Sequence, residues 1–204
     1  MTVYTDDWRG DSHMAAMFSF DAFPRLETDR FILRKTEERD IADLYELYSD
    51  PEVVKYTPLH PLIDLDEARQ EMNWHLEIFE QQVGIRWVIE DKASEKIIGT
   101  CGFLHYVKEY ARTELGYDLA PAYWRCGIMS EVAVPIIAFG FNRMHLHCIE
   151  AKVDAANAAS IGLLAKLGFK PASELKEYEF EKGQYIELLH FSMLRKEYRQ
   201  LRFL

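Results

Sequence analysis

The sequence predicts an α/β (α+β) domain in which a mixed, mostly antiparallel sheet of seven strands is flanked by about four helices. Three short apolar segments between residues 84 and 120 are separated by polar turns, as in an antiparallel meander. Helix-like and strand-like patterns then alternate from residue 130 to residue 169, as in βαβ crossovers. A chain of 204 residues, of which 49% are apolar, suits one domain with a substantial core.

The first elements are a strand and two helices. "RFILRK" (30–35) alternates apolar and polar residues, which is typical of a strand. Residues 36–50 place their apolar side chains on one helical face, with Thr36 as the expected N-cap. We expect Pro51 to close this helix. A second helix with the same spacing fits residues 66–82.

The remaining elements follow from the same two periodicities. We expect helices at residues 130–142 and 157–169, and strands at residues 84–91, 96–107, 111–120 and 146–154. The last two strands are predicted to form a hairpin around Lys182 and Gly183. The predicted order is therefore β-α-α-β-β-β-α-β-α-β-β.

Composition excludes several classes of protein. The net charge of -10 argues against nucleic-acid binding, although it suits a basic partner or an amine substrate. No apolar run approaches the roughly 20 residues that span a bilayer, so we expect no membrane insertion. Three cysteines without CxxC spacing indicate a reduced, cytoplasmic protein. "SHM" (12–14) resembles a cloning remnant, so residues 1–22 are expected to be a disordered or partly added leader and residues 23–204 a single domain.

The turn between the strand at 111–120 and the next helix is the first candidate site. Amides at the start of a helix lack intrahelical partners, and the helix dipole adds partial positive charge there. This combination can hold a pyrophosphate without a lysine, provided that one position lets the backbone approach closely. Gly127 supplies that position. A single glycine in such a turn also fits ordinary turn geometry, so the turn alone does not distinguish a phosphate site from an ordinary turn.

Three sequence motifs, which follow one another along the chain, favour a phosphate-binding turn over an ordinary one. They are "PRLETDRFILRKTEERDIADLYELYSDPEV" (24–53), "ELGYDLAPAYWRCGIMSEV" (114–132) and "NAASIGLLAKLGF" (157–169). Together they resemble the GCN5-related N-acetyltransferase (GNAT) superfamily, and within it the RimJ/RimL-like branch that acetylates the N-termini of ribosomal proteins. The loop departs from the superfamily pattern at Met129, whose side chain must point away from the phosphates. Arg125 and Cys126 also stand where small residues or lysine are common.

The resemblance implies a GNAT fold and transfer of an acetyl group from acetyl-CoA to a primary amine, directly and in a ternary complex. It implies that the strand carrying Glu114 splays from its neighbour and that the CoA arm enters the gap. The residues expected to bind CoA on this basis are Leu119, Trp124, Arg125, Cys126, Gly127, Ile128, Met129, Ser130 and Asn157. No metal is expected, because the His145-x-His147 pair has no third ligand at useful spacing.

Two glutamates compete for the role of general base. Glu179 lies where the resemblance places the proposed base of N-terminal acetyltransferases, and Glu114 lies where other superfamily members carry theirs. We prefer Glu179 slightly, and a proton relayed by water is compatible with either. The resemblance places Ser160 near the sulfur, as the candidate acid. Asn157 and Ser160 also fit the simpler role of helix caps.

The acceptor stays open at this stage. A ribosomal-protein N-terminus is the first expectation, and a small amine, a polyamine or an antibiotic is the alternative. A CoA-binding module without catalysis is a further alternative from a different class. The chain is expected to act as a monomer or a homodimer.

Overall fold

The computed structural model describes residues 18–172 and 177–201, and nine strands of this part form one sheet in the order β1-β2-β3-β4-β5-β6-β9-β7, with β8 paired to β9. The strands are β1 (Leu26–Glu27), β2 (Phe31–Arg34), β3 (Ile85–Asp91), β4 (Ile97–Val107), β5 (Arg112–Leu119), β6 (Cys148–Asp154), β7 (Lys170–Pro171), β8 (Glu177–Glu181) and β9 (Gln184–Leu194). The helices are α1 (Ile41–Tyr48), α2 (Pro51–Val54), α3 (Leu65–Glu80), α4 (Ile128–Asn142), α5 (Ala158–Leu167) and α6 (Arg195–Leu201). The sheet is mixed, as predicted: β5 and β6 are parallel and the other pairs are antiparallel.

Helices cover both faces of the sheet. The larger core joins Trp87, Phe103 and Leu115 to Val132 of α4 and Leu164 of α5. A second core lies under α1, α2 and α3 on the opposite face. Side chains alternate along a strand, so on β5 the odd-numbered residues face α4 and α5, and the even-numbered residues face the other way.

The segment before α1 and the one after it differ from the prediction. Thr36 is buried, and its hydroxyl has no hydrogen-bond partner in the described part of the chain. Asp40 instead accepts the Glu37 amide at 2.8 Å and stabilises the first turn. Pro51 begins α2 instead of only ending α1, because Asp50 caps the new turn by accepting the Glu52 amide.

Short elements account for the larger number of strands and helices. β1 and β7 have two residues each, α2 has four and α6 has seven, which is too short for a clear apolar period in the sequence. The long elements lie within a few residues of their predicted positions, and the hairpin turns at Lys182 and Gly183 as expected. None of the described helices is both long and apolar enough to cross a bilayer.

Aromatic side chains before β1 pack against the domain. The Phe18 ring lies 5.3 Å from the Phe139 ring, centroid to centroid, and the Phe20 ring lies 5.2 Å from Phe79. Phe18 and Phe20 of the expected leader are therefore in contact with the larger core, and residues 1–17 lie outside the described residues.

A buried ion pair holds the C-terminal end of β5 in place. Arg86 of β3 and Asp118 of β5 are hydrogen-bonded to each other, and both side chains are at most 9% exposed. Tyr48 of α1 donates to the same carboxylate at 3.1 Å. A methyl group added to Gly116 would lie 3.0 Å from Arg86 Nη1, so the glycine leaves room for the guanidinium. The pair thus ties β5 to its neighbours on one side.

Candidate functional site

Two adjacent parallel strands separate along their length. β5 pairs with β6 only from Arg112 to Glu114, opposite Cys148 to Glu150. Beyond this point β5 continues to Leu119 and stays paired with β4 on its other side. The result is a gap between β5 and β6, with one backbone edge of each strand facing into it.

Leu119 presents a backbone amide to this gap. Ala120 donates to the Ile98 carbonyl at 2.9 Å, which marks a hydrogen-bonded position of the β4–β5 ladder. Positions alternate in an antiparallel ladder, so the N–H and C=O of Leu119 point away from β4. Trp124 Nε1 donates to the Leu119 carbonyl at 2.7 Å. The Leu119 N–H faces away from β4 where β5 is no longer paired with β6, so it is available to a ligand.

The turn before α4 adds further amides. Gly127 caps the helix with φ +74°, a conformation that strains any residue with a Cβ, and Arg125 also has positive φ. The first amide of this turn to enter the helix ladder is that of Glu131, which donates to the Gly127 carbonyl. The amides of residues 125–130 have no partner in the described part of the chain. An added methyl group at Gly127 would meet nothing within 4 Å, so the space beside these amides is open.

The side chains of the turn leave this space clear. Ile128 is buried and Met129 packs against the larger core, so both turn inward. Arg125 and Cys126 are exposed. The orientation of Met129 is the one that phosphate binding at this turn requires.

An ion pair distant in sequence holds the turn in place. Glu131, in the first turn of α4, accepts from the Thr28 hydroxyl at 2.6 Å and from Arg30 Nε at 2.8 Å. Arg30 Nη2 also donates to the Cys126 carbonyl at 3.4 Å. Partial burial raises the pKa of Glu131, but the hydrogen bonds from Thr28 and Arg30 outweigh it and leave that pKa lowered. Sequence reasoning missed this clamp, because about a hundred residues separate its partners and no local pattern links them.

The start of α5 lies across the gap. Asn157 caps the helix by accepting the Ser160 amide at 3.1 Å, as its sequence position predicts. The Ser160 hydroxyl is hydrogen-bonded to the Tyr117 hydroxyl of β5 at 2.6 Å. Strand alternation already places Tyr117 toward the helices, but no sequence pattern links it to Ser160.

Charged side chains line the opposite face of the gap. Glu114 lies directly opposite Glu150 in the β5–β6 register, and Lys152 is two residues farther along β6. Glu179 of β8 forms an ion pair with Lys152 at 3.6 Å. Burial raises the pKa of Glu114; His105 and Lys152 lower it, and Glu150 and Glu179 raise it further. The structure therefore brings both candidate bases to one face.

Two concave surfaces lie away from the gap. One, of about 370 Å³, is lined in part by Arg34 and Glu90. Arg34 already pairs with Asp40 and Glu90 at 2.7 and 2.6 Å, so its guanidinium does not require a ligand. The other, of about 420 Å³, is lined by Tyr45 and residues 64–66. No group of three or more metal-binding side chains occurs among the described residues.

Comparison with known proteins identifies the family. A profile of the acetyltransferase (GNAT) domain matches residues 30–170. The chain belongs to the GNAT acetyltransferase family. It is 39% identical to the uncharacterized N-acetyltransferase p20 of Bacillus licheniformis over 173 residues, which are 85% of this chain and 97% of that protein. The motif resemblance and the acyltransferase activity that it implies are thus confirmed.

More distant GNAT relatives differ in the acceptors that they are named for. The ribosomal protein uS5 alanine N-acetyltransferase of Escherichia coli is 26% identical, covering 79% of this chain and 86% of that protein. The spermidine N-acetyltransferase of Vibrio cholerae, in complex with CoA and spermine, superposes with a TM-score of 0.73. It is 22% identical, covering 84% of this chain and 99% of that one, so the likeness concerns the fold. This GNAT protein is therefore an N-acetyltransferase, and the comparisons leave its acceptor open.

Proposed function

We propose that this GNAT enzyme transfers an acetyl group from acetyl-CoA to the N-terminal amine of a protein, directly and in a ternary complex. The observation that carries the proposal is the row of unpaired amides at residues 125–130 beside the β5–β6 gap. Such amides at a helix N-terminus bind phosphate oxygens, and a strand edge in a gap can pair with an amide-containing arm.

The residues at this site have the donors that the co-substrate requires. Acetyl-CoA supplies a thioester whose carbonyl carbon is open to attack by an amine. The amides from Arg125 to Ser130 would hold its pyrophosphate, and Asn157 would hold its arm with the part of its side chain that the cap leaves available. The Leu119 N–H would stabilise negative charge on the carbonyl oxygen. Trp124 fixes this strand end by its bond to the Leu119 carbonyl.

We propose Glu179 as the general base. Glu150 marks the closed end of the gap, and Lys152 lies farther along β6 toward the open part. Glu179 of β8 reaches across β9 to form an ion pair with Lys152, so its carboxylate lies beside a side chain of this part of β6. Glu114 and Leu119 are five residues apart on an extended strand, or about 16 Å. Glu114 would therefore need a relay of water molecules to take the proton from the amine. Ser160 would act on the leaving sulfur.

The charge of the gap face supports a cationic acceptor. Three carboxylates, Glu114, Glu150 and Glu179, share this face with two cations, Lys152 and Arg112. The carboxylates are in excess, and acidic surfaces attract ammonium groups. An N-terminal amine is preferred because of the relation to the uS5 alanine acetyltransferase. A polyamine is the second candidate, supported by the same charge and by the spermine complex of the Vibrio cholerae neighbour.

Release of CoA thiol from acetyl-CoA tests the proposal. The acceptors are peptides with the N-termini of ribosomal proteins, the same peptides with blocked N-termini, and spermidine. We expect release with the free peptides and none with the blocked ones. Turnover of spermidine alone would replace the proposed acceptor, and CoA binding without release for any amine would indicate a binding module.

Two matched variants test the base. Glu179→Gln is expected to lower kcat by about a hundredfold or more, within the usual range for general-base catalysis. Glu181→Gln, with the same charge change on the same strand, is expected to keep full activity. If Glu114→Gln loses activity while Glu179→Gln keeps it, the base is Glu114.

A further inference from the structure

One hydrogen bond crosses the β5–β6 gap on its helical side. Tyr117 lies on β5 beyond the last residue paired with β6, and Ser160 lies on α5, the helix that follows β6. Their hydroxyl oxygens are 2.6 Å apart. The bond therefore links the two sides of the gap at the depth of Tyr117, two residues before the Leu119 amide.

The relative acidity of the two hydroxyls favours one direction for this bond. Tyr117 is half-buried against the larger core, and burial raises the pKa of its phenol to about 12, so the phenol keeps its proton at neutral pH. Either hydroxyl could donate in this bond, and the greater acidity of a phenol than of an aliphatic alcohol favours Tyr117 as the donor and Ser160 as the acceptor. The Ser160 amide is already bound by Asn157. The hydroxyl hydrogen of Ser160 is then left to point toward a third group.

We propose that Tyr117 is a positioning residue for the leaving thiolate: its phenol donates to Ser160 Oγ and directs the Ser160 hydroxyl hydrogen at the sulfur of CoA. This inference rests on the proposed function, because it takes the gap as the site of the thioester. Ser160 is the residue that contacts the sulfur, and Tyr117 acts through it. A hydroxyl that accepts one hydrogen bond becomes a better donor in the next, so the pair is a stronger donor than serine alone.

The chemistry of the step needs no proton from either hydroxyl. The amine nitrogen attacks the carbonyl carbon, the C–S bond breaks, and its electron pair leaves on sulfur. The proton that the amine loses goes to the general base. A thiol has a pKa of about 8.5, so the Ser160 hydroxyl, which is a far weaker acid, stabilises the thiolate by hydrogen bonding and does not protonate it. The thiolate takes its proton from water after release.

The test measures binding of the product and does not depend on turnover. CoA and desulfo-CoA, which lacks the sulfur, are titrated calorimetrically below and above the thiol's usual pKa of about 8.5. We expect the wild-type protein to bind CoA more tightly at the higher pH, by roughly ten- to a hundredfold relative to desulfo-CoA. Ser160→Ala should abolish this preference, Tyr117→Phe should remove most of it, and Ser160→Thr should keep it.

Controls separate positioning from a structural role. Tyr106→Phe removes a phenolic oxygen from another half-buried tyrosine of the same core and should leave the thiolate preference unchanged. A merely structural Tyr117 would weaken CoA and desulfo-CoA equally in Tyr117→Phe, and this result would overturn the inference. The inference would also be overturned if Tyr117→Phe kept the full preference for CoA over desulfo-CoA at the higher pH while Ser160→Ala lost it. A normal preference without acetyl transfer to any amine would support the pair and refute the proposed function.

Discussion

Replacement of Gly127 by alanine tests the proposed pyrophosphate site most directly. Gly127 adopts φ +74°, and a methyl group there would project into open space. The left-handed conformation costs an L-residue about 1–2 kcal/mol, which should lower the melting temperature by about 2–4 °C per kcal/mol in a chain of this size. The methyl group would also occupy the space next to the amides of residues 125–130. If it displaces one phosphate contact, CoA affinity should fall roughly ten- to a hundredfold.

Gly183 provides the matched control. It has φ +83° in the β8–β9 turn, and a methyl group added there also meets nothing within 4 Å. Gly183→Ala should therefore cost the same backbone strain and a similar loss of thermal stability. Its affinity for CoA, measured calorimetrically, should equal that of the wild type. Equal CoA affinity in Gly127→Ala and Gly183→Ala would refute the assignment of the pyrophosphate to this turn.

Two further predictions concern buried charge. Arg86→Met leaves Asp118 buried without its cation, which should cost about 3–5 kcal/mol in urea unfolding, and a loss below about 1 kcal/mol would contradict a structural role for the pair. Burial raises the pKa of Glu114, so its favourable contribution to stability is present at low pH and is lost as pH rises through the folded-state pKa. Glu114→Gln should therefore be more stable than wild type at neutral pH, by a margin that shrinks on acidification; a margin independent of pH would contradict this.

The elements with long apolar periods could be predicted from the sequence, and the short ones could not. Alternation located β3, β4, β5 and β6 because each buries at least one face over seven or more residues. β1 and β7 depend on pairing with residues distant in the chain, which no local pattern records. Pro51 illustrates a different ambiguity, since proline both ends a helix and suits the first turn of the next.

The candidate site also combines features that could be predicted from the sequence with features that could not. Gly127, Asn157 and Ser160 belong to contiguous motifs, so their helix-terminal positions follow from the sequence. The Tyr117–Ser160 bond and the Glu131 clamp join segments that meet only in the folded chain. The roles of Glu114 and Glu179 remain predictions, because both glutamates face the same side of the gap and chemistry must separate them.

The packing of Phe18 and Phe20 sets a practical limit on shortening the chain. A version trimmed to begin at Phe23 would keep the whole segment that matches the GNAT profile, residues 30–170. It would nevertheless remove Phe18 from Phe139 and Phe20 from Phe79, and leave Phe23 against Phe79. Two rings that are now only 7% and 8% exposed would therefore become more exposed. Bare aromatic surface of this kind promotes self-association. A chain trimmed in this way would therefore be prone to aggregate during expression, for a reason unrelated to catalysis.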